Sequence, residues 1–355
     1  MNAPRGRITR SEIFAQPSAW LTTLARVTDS GLAGRYDADA PVITGAGSSA
    51  YSSYAIAAAW PGARDIATTD LLLSQPTAVP SALDGAGLLI SIARSGDSPE
   101  SVGVVEWLQR VRPDVRHIAI TCNASGHLAR TSGVTTLLLD PSTYDLSLAA
   151  TNSFSNLTLA GLLLRHHPLL ANAVPAIAEH VGTMLPALDA AAQGIAATKV
   201  SRVAVVAPPA LFGAAREACL KILEMTDGQV VAMPETLLGL RHGPLSFLRE
   251  DGLVLCFLST DPRIRRYEND LLRELRAKKL GRIVGIAPDL TSGLLDYAIP
   301  ANAPALPDTL RTPFELVFPQ LLAYHLSLAL GLNPDVASSR GVINRVVQGV
   351  HIYDA

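Results

Sequence analysis

The sequence has little cysteine and no arrangement of residues typical of a metal site. It holds 3 cysteines in 355 residues, Cys122, Cys219 and Cys256, whose separation fits no zinc-ligand spacing and whose odd number cannot form a complete set of disulfides. Each lies in or beside an apolar run, so we expect buried thiols in a reducing compartment. The histidines lack partners at metal-ligand spacing. The sequence therefore predicts neither a metal nor a cofactor.

An excess of charge of one sign and long apolar runs are also missing. Lys and Arg number 29 against 31 Asp and Glu, a formal net charge of −2, whereas a nucleic-acid-binding protein normally carries a basic surplus. No apolar run reaches the roughly 18 residues that span a bilayer, and residues 1–15 lack the apolar core of a secretory signal. We therefore expect no nucleic-acid partner, no membrane association and a cytoplasmic location.

Motifs of nucleotide-binding proteins and acyl hydrolases are absent as well. Gly45-Ala46-Gly47 lacks the third glycine of a dinucleotide fingerprint, and no phosphate-loop lysine follows it. The Gly-x-Ser-x-Gly elbow of α/β hydrolases does not occur. Nucleotide binding of the usual kinds and serine hydrolase chemistry are both disfavoured.

Short apolar runs alternate with longer helical patterns along most of the chain. Strands are predicted at residues 42–44, 88–93, 117–121 and 135–139, with helices after residue 49 and over residues 99–110. This alternation predicts an α/β fold with a doubly wound, mainly parallel sheet flanked by helices.

The same alternation recurs in the second half of the chain. Residues 88–95 align with residues 253–260, and residues 117–120 align with residues 282–285 at the same offset. Matching spacing indicates a duplicated α/β unit, although two unrelated α/β domains can share such spacing by coincidence. We predict four segments: an N-terminal helical segment at 1–35, a phosphate-binding domain at 36–190, a second domain at 191–335 and a C-terminal tail at 336–355. Residues 152–197 are predicted as a long helical connection.

Two loops of the first domain combine glycine with hydroxyl side chains. Residues 45–49 and 94–98 each follow a predicted strand, and the carboxyl ends of parallel strands are where such folds bind ligands. Glycine, serine hydroxyls and helix N-terminal amides together make an anion cradle. Each loop taken alone is explained as well by a tight turn and a helix cap, as at Ser98 before Pro99. The presence of both loops together favours phosphate binding. The matching residues 207–210 lack hydroxyls, so we expect one phosphate site per chain.

The second half carries the titratable groups. Lys221 and Glu224 are i,i+3 neighbours on a predicted helix over residues 214–225, and a carboxylate beside a lysine can act as a base near neutral pH. A solvated surface ion pair is the commoner explanation for such a pair. His242, in the turn Arg241-His242-Gly243-Pro244, could move protons or simply hydrogen-bond within the turn.

These features together resemble the sugar isomerase (SIS) domain family, with two tandem SIS domains. The resemblance is carried by TGAGSS at residues 44–49, ARSGDSPES at residues 93–101, the Lys221/Glu224 helix and the Arg241 to Pro244 turn, in the expected order. More narrowly, ARSGDSPES and the ending NRVVQGV at residues 344–350 are similar to the galactosamine-6-phosphate deaminase/isomerase group, formerly labelled tagatose-6-phosphate ketose/aldose isomerase.

The resemblance implies roles for individual residues. A phosphate site is implied for Ser49, Ser95 and Ser98, with Arg94 and the adjacent Ser48 as further candidates. Three further roles follow from the isomerase domain of glucosamine-6-phosphate synthase. Glu224 matches the base that moves a proton between C1 and C2, and Lys221 matches a lysine near the sugar. His242 matches a histidine that assists ring opening from the neighbouring subunit.

Two departures from that relative concern cations. Arg94 stands where the relative has a glutamine. When the two C-terminal ends are aligned, the relative's C-terminal lysine corresponds to Gln348. The nearest cation is Arg345, which stays protonated and is interpreted as an electrostatic clamp in the catalytic set.

The resemblance implies an enzyme that acts on a hexosamine 6-phosphate, converting galactosamine 6-phosphate to tagatose 6-phosphate and ammonia. It also implies a homodimer with the active site at the subunit interface. Two alternatives stay open: a ketose/aldose isomerase without deamination, and a non-catalytic sugar-phosphate-binding regulator. A regulator would not need Glu224, Lys221 and His242 together.

Overall fold

The computed structural model describes residues 5–37, 39–74, 83–289, 293–336, 338, 341–347 and 349–353. The chain divides into two compact units. The N-terminal unit consists of Ala15–Leu146, Ala150–Ala178 and Gly341–Ala355; the C-terminal unit consists of Met1–Phe14, Ser147–Ala149 and Glu179–Arg340. Among the described residues, no helix has the length and apolar character needed to cross a membrane. The predicted segment boundaries at residues 35, 190 and 335 stay predictions.

The N-terminal unit is built on a five-stranded parallel sheet. Helix α1 (Arg7–Ser30) is the first helix of the described chain and contributes residues to both units. The other elements of this unit are β1 (Val42–Thr44), α2 (Ser48–Ala59), β2 (Arg64–Asp65), α3 (Thr68–Leu73), β3 (Leu88–Ala93), α4 (Pro99–Val111), β4 (Arg116–Thr121), α5 (His127–Arg130) and β5 (Val134–Leu138). The strand order is β2-β1-β3-β4-β5, and all neighbours are parallel.

The C-terminal unit repeats this architecture. Helix α6 (Asn152–Ala196) leads into it and has a break in helical geometry at His166. The elements that follow are β6 (Arg202–Ala207), α7 (Phe212–Met225), β7 (Val231–Thr236), β8 (Leu253–Phe257), α8 (Pro262–Ala277), β9 (Arg282–Ala287), β10 (Tyr297–Pro300), α9 (Thr312–Glu315) and α10 (Val317–Ala329). The order β7-β6-β8-β9-β10 matches that of the first sheet strand for strand. The predicted α/β fold with two doubly wound parallel sheets is confirmed.

The central strands are buried on both faces, as expected for parallel sheets covered by helices. All six residues of β3 and all five of β8 are buried. Each unit has its own apolar core; that of the N-terminal unit includes Leu89, Val104 and Leu108, and that of the C-terminal unit includes Val254, Leu271 and Leu275. Burying a side chain of this size contributes about 1.5–3 kcal/mol, so these cores hold the strand ends, and the loops that follow them, in fixed places.

The three cysteines are free and buried, as predicted. Burial raises the pKa of the Cys122 thiol to about 12, because the charged thiolate is disfavoured away from water. Burial also raises the pKa values of Cys219 and Cys256. These thiols therefore stay protonated and behave as small apolar side chains.

Candidate functional site

The loop after β1 brings backbone and hydroxyl groups close together. Gly47 adopts φ +58° before the first turn of α2, a left-handed conformation that favours glycine. A Cβ on Gly45 would lie 2.5 Å from the carbonyl carbon of Ser49, so that position also has no room for a side chain. The two glycines explain why α2 can begin directly at Ser48.

Ser48, Ser49 and Arg94 line one small cavity in the N-terminal unit. Strands β1 and β3 are neighbours, with Thr44 paired to Ser91, so the loops that follow them lie side by side. The other residues around the cavity are Ser52, Ala150, Ser153, Phe154 and Leu157. Its volume of about 10 Å³ is that of a single water position. A phosphate group therefore fits only when the lining residues move apart.

Arg94 and Arg345 lie next to each other in the N-terminal unit. The Arg94 guanidinium donates a hydrogen bond of 2.9 Å to the main-chain oxygen of Arg345. The Arg345 guanidinium lies 4.9 Å from the centre of the Tyr144 ring and donates to the main-chain oxygen of Asp145. The C-terminal segment thus reaches the candidate phosphate loop. Gln348, the other C-terminal candidate, lies outside the described residues.

Ser95 and Ser98 belong to the same loop as Arg94 but do not line the cavity. Ser98 caps α4: its Oγ accepts a 3.3 Å hydrogen bond from the Ser101 amide and donates at 2.8 Å to the Ser101 hydroxyl. The Ser95 hydroxyl accepts from the Asp97 amide at 3.3 Å. The cap considered for Ser98 is therefore present, and phosphate binding by these two serines stays a prediction.

Ser52 and Ser153 are cavity residues that sequence reasoning missed. Ser153 lies in the first turn of α6, where its amide donates at 2.8 Å to the Asp145 carboxylate and its hydroxyl donates to the same group. Asp145 is fully buried and also accepts from the amides of Thr151 and Asn152, at 2.9 and 3.1 Å. The sequence contains only a weak signal for Ser153. An aspartate shortly before Thr151-Asn152-Ser153 is typical of a capped helix start.

The second group of candidates lies on α7 in the C-terminal unit. The Lys221 Nζ lies 2.5 Å from Glu224 Oε2 and 3.2 Å from Glu217 Oε1. The side chains of Lys221 and Glu217 are 0% exposed, and that of Glu224 is 21% exposed. A solvated surface ion pair, the alternative considered above, is therefore wrong. Glu217 was missed in the sequence, although it lies four residues before Lys221 and so on the same helix face.

The environment of Lys221 favours its charged form. Burial by itself lowers the pKa of a lysine, but the attraction of Glu217 and Glu224, with their hydrogen bonds, outweighs burial and raises the pKa of Lys221. Lys221 is thus an ammonium group with one fully buried carboxylate and one that reaches the surface.

Glu224 opens onto a cavity of about 270 Å³. Binding pockets for small molecules usually begin near 300 Å³, so this volume lies close to the lower end of that range. The cavity is also lined by Arg5, whose guanidinium donates at 2.5 Å to the Gly331 main-chain oxygen, and by Asp227, Asn333 and Ser338.

His242 lies apart from that cavity, at the end of the short 3₁₀ turn Gly239–Arg241. Its side chain is exposed, and its imidazole has no hydrogen-bond partner among the residues that the structure describes. Its main-chain amide donates at 2.9 Å to Gly239. Within one chain, His242 is therefore available to a ligand or to another molecule.

In the loop after β8, which matches the Arg94 to Ser98 loop, the first two residues donate hydrogen bonds to the protein's own carboxylates. Asp308 accepts from the Ser259 hydroxyl and from the amide and hydroxyl of Thr260, at 3.0 and 2.9 Å. Glu268 accepts from the Ser259 amide at 3.0 and 3.1 Å. The hydroxyl and amide donors of Ser259 and Thr260 are thus already bonded within the protein, and the number of phosphate sites per chain stays a prediction.

Comparison with known proteins decides the family. No protein-family model matches the sequence. D-galactosamine-6-phosphate deaminase AgaS of Shewanella sp. (strain ANA-3) is 36% identical over 333 residues, covering 88% of this chain and 81% of the relative. D-galactosamine-6-phosphate deaminase AgaS of Escherichia coli is 32% identical over an alignment of 376 residues, covering 99% and 97%. The chain belongs to the AgaS family.

A solved structure with this fold matches nearly all of the chain. The crystal structure of tagatose-6-phosphate ketose/aldose isomerase from Escherichia coli has a TM-score of 0.85 and 30% identity, covering 98% of this chain and 97% of that one. The AgaS family is thus the galactosamine-6-phosphate deaminase/isomerase group of SIS proteins that the sequence motifs resemble, and the family carries enzyme names.

Proposed function

We propose that this chain is a hexosamine-6-phosphate deaminase that converts D-galactosamine 6-phosphate and water into tagatose 6-phosphate and ammonia. The observation that carries the proposal is the position of Glu224, which borders a cavity and whose Oε2 lies 2.5 Å from the Nζ of the fully buried Lys221. The chain also aligns over 99% of its length with a relative named D-galactosamine-6-phosphate deaminase. A buried lysine beside a partly exposed carboxylate is an arrangement suited to proton transfer.

The phosphate is bound by hydroxyl and guanidinium groups in this proposal. One cavity is lined in part by Ser48, Ser49 and Arg94. We include Ser95 and Ser98, which follow Arg94 in the same loop, as further phosphate ligands. Hydroxyl and guanidinium donors suit a phosphate dianion because hydrogen bonds to charged acceptors are stronger than neutral ones. Arg345, bonded through its main chain to Arg94, adds a second cation.

The sugar is rearranged by a histidine and a carboxylate. His242 assists opening of the ring to the free aldehyde. The Glu224 carboxylate then takes the proton from C2 and returns a proton to C1, so that the aldehyde becomes an alcohol and the C2 amine becomes an imine. Lys221 or Arg345 stabilises the negative charge that develops on the sugar oxygen. Proton transfer by a positioned group contributes about 10²–10⁴ in rate.

Release of ammonia needs one water molecule. Water adds to the C2 imine, and the C–N bond breaks with the nitrogen leaving as ammonia, which gives the ketose. The overall reaction therefore consumes water and is hydrolytic as well as isomerising. We also propose a cytoplasmic homodimer, in which His242 acts on the substrate of the partner subunit; the exposed, unbonded imidazole supports this role.

The proposal is tested by incubating the purified full-length protein separately with galactosamine 6-phosphate, glucosamine 6-phosphate and tagatose 6-phosphate. Ammonia and tagatose 6-phosphate are expected from the first substrate. Absence of turnover with all three would overturn the proposal.

A ketose/aldose isomerase without deamination is the second candidate, because the solved Escherichia coli relative bears that name. The same residues would shift the C2 proton of a sugar that carries a hydroxyl at C2. Interconversion of tagatose 6-phosphate with its aldose, without ammonia from galactosamine 6-phosphate, would favour this candidate.

A further inference from the structure

A cavity of about 760 Å³ lies at the carboxyl edge of the sheet in the C-terminal unit. Its lining residues follow three neighbouring strands: Ser259 and Thr260 come after β8, Asp289 after β9 and Pro304 after β10. The carboxyl ends of parallel strands are where such folds bind ligands, and the volume lies within the range of small-molecule pockets, about 300–1,000 Å³. No described residue lines both this cavity and the one that Glu224 borders.

Helix α8 contributes a polar wall to this cavity. Arg265 and Arg266 line it, and Asn269 lines it one turn further along the helix. Residues three and four apart lie on one side of a helix, so Asn269 is a neighbour of both arginines. Apolar walls are provided by Pro262, Pro288, Leu294 and Pro304. Apolar walls with a few placed polar groups are typical of small-molecule sites.

The hydroxyl groups of the loop after β8 are not available to a ligand. The Ser259 and Thr260 hydroxyls both donate to the Asp308 carboxylate, which also accepts from Arg311 at 2.9 Å. An anion in this cavity would therefore be bound by the guanidinium groups of α8.

The two arginines differ in how their charges are balanced. The Arg266 side chain is exposed and forms no ion pair or hydrogen bond with the residues that the structure describes. Arg265 Nη1 lies 3.4 Å from Glu268 Oε2, and its Nη2 lies 2.7 Å from Asp289 Oδ1. The Asp289 side chain is 61% exposed, and ion pairs of such exposed groups contribute little to stability. A dianion can therefore take the place of Asp289 on Arg265 and bind Arg266 as well.

The Asn269 amide is the third polar group of this wall. Its Oδ1 atom is buried and accepts no hydrogen bond from the residues that the structure describes. Buried polar atoms are normally hydrogen-bonded. A hydroxyl group on a ligand would supply the missing donor when the amide turns toward the cavity.

We propose that this cavity binds a small organic phosphate that carries hydroxyl groups, at a site separate from the candidate active site. The phosphate lies between Arg265 and Arg266, because a guanidinium fork matches two phosphate oxygens at once. The hydroxyl-bearing part lies against Asn269 and the proline walls. The inference goes beyond the proposed reaction and does not depend on it. A phosphate bound here would make the expectation of one phosphate site per chain wrong.

The test measures protection of individual arginines from phenylglyoxal, which modifies accessible guanidinium groups, by peptide mass spectrometry of the full-length protein. Inorganic phosphate, glucose 6-phosphate and adenosine monophosphate are added separately. We expect Arg266 to react more slowly with rising concentration of at least one organic phosphate, until the effect saturates. Arg263, which is exposed on the same helix and does not line the cavity, is the internal control and should react at one rate throughout.

Three results of this experiment would overturn the proposal. The first is an unchanged rate for Arg266 with every probe, and the second is equal protection of Arg263 and Arg266. The third is protection by inorganic phosphate alone, which would exclude an organic ligand. Comparison of glucose 6-phosphate with adenosine monophosphate tells whether the site takes a sugar phosphate or a nucleotide.

Replacing Asp289 by asparagine should strengthen binding, because it removes the carboxylate that competes for Arg265. We expect the probe concentration that half-protects Arg266 to fall by about two- to fivefold, the effect of an exposed ion pair. Asp270→Asn, an exposed substitution on α8 outside the cavity, is the matched control. Weaker binding in Asp289→Asn, or the same change in both variants, would contradict the assigned position of the phosphate.

Failure of this inference and failure of the proposed function can be told apart. Arg94→Ala should leave protection of Arg266 unchanged; loss of protection in that variant would indicate one shared site and overturn the inference. If wild type releases no ammonia but Arg266 is protected, only the proposed function is wrong. If wild type releases ammonia and no probe protects Arg266, only the inference is wrong.

Discussion

Arg94 donates a 2.9 Å hydrogen bond to the main-chain oxygen of Arg345, a residue 251 positions further along the chain. Arg94 also lines the cavity of Ser48 and Ser49. The Arg94 side chain therefore contacts both the candidate phosphate cavity and the C-terminal segment. In consequence, a phosphate that draws the Arg94 side chain toward itself would also affect how that segment is held.

Replacing Arg94 by alanine should weaken binding of the sugar phosphate. A hydrogen bond to a charged group contributes about 1.5–3 kcal/mol, so we expect KM to rise by about 10- to 100-fold, with a smaller effect on kcat. Steady-state kinetics with galactosamine 6-phosphate checks this. Arg116→Ala, which removes a pair with Asp39 in the same unit, is the control and should leave KM unchanged. An unchanged KM for Arg94→Ala would exclude it from the phosphate site.

Replacing Glu224 by glutamine should remove the base and keep the shape of the side chain. We expect kcat to fall by about 10²–10⁴, while KM for the sugar phosphate changes little because the phosphate is held elsewhere. Glu250→Gln, at an exposed position, is the control. Near-normal kcat in Glu224→Gln would show that another group moves the proton.

Two substitutions separate the possible roles of Ser98. Alanine at a helix N-cap costs about 0.5–2 kcal/mol, whereas glycine costs only a few tenths. We expect Ser98→Ala to unfold at lower denaturant concentration than Ser98→Gly, and both to raise KM because both remove the hydroxyl. If stability differs in this way but KM is normal in both variants, Ser98 is a cap and not a phosphate ligand.

Glu268 should make the protein less stable as the pH rises. Burial raises the pKa of Glu268 from 4.5 to about 7, although its hydrogen bond from Ser259 and the charge of Arg265 oppose this. The folded state then binds more protons than the unfolded state between pH 4.5 and 7, so stability falls across this range, by at most about 3 kcal/mol. Denaturant unfolding at pH 5 and pH 8 measures the change.

The variant Glu268→Gln lacks the titrating carboxyl group. Its free energy of unfolding should therefore differ less between pH 5 and pH 8 than that of wild type. Asp270→Asn, an exposed substitution on the same helix, is the control and should behave as wild type. Equal pH dependence in wild type and Glu268→Gln would contradict the role assigned to this carboxylate.

Much of the fold could be predicted because its signals are local. The strand predicted at residues 42–44 and that at residues 88–93 match β1 and β3 residue for residue, and the helix predicted over residues 99–110 ends one residue later, at Val111. In each case an apolar run, a Pro or a capping serine within a few residues sets the boundary.

The missed residues depend on contacts between distant parts of the chain or on burial. Ser153 is more than a hundred residues from Ser48, and only the packed N-terminal unit brings them to one cavity. Glu217 carried a readable signal, its i,i+4 spacing from Lys221, but the pattern alone cannot distinguish a buried cluster from a solvated helix face. The hydrogen bond from Ser259 to Asp308 likewise joins residues 49 positions apart.

The proposed proton transfer is tested by following the hydrogen on C2 of the sugar. Wild-type protein is given galactosamine 6-phosphate deuterated at C2, and ammonia, tagatose 6-phosphate and the position of the deuterium are measured in the same reaction. We expect one ammonia for each tagatose 6-phosphate, with deuterium moved to C1 or lost to water. Ammonia released while deuterium stays on C2, or no ammonia at all, would contradict this expectation.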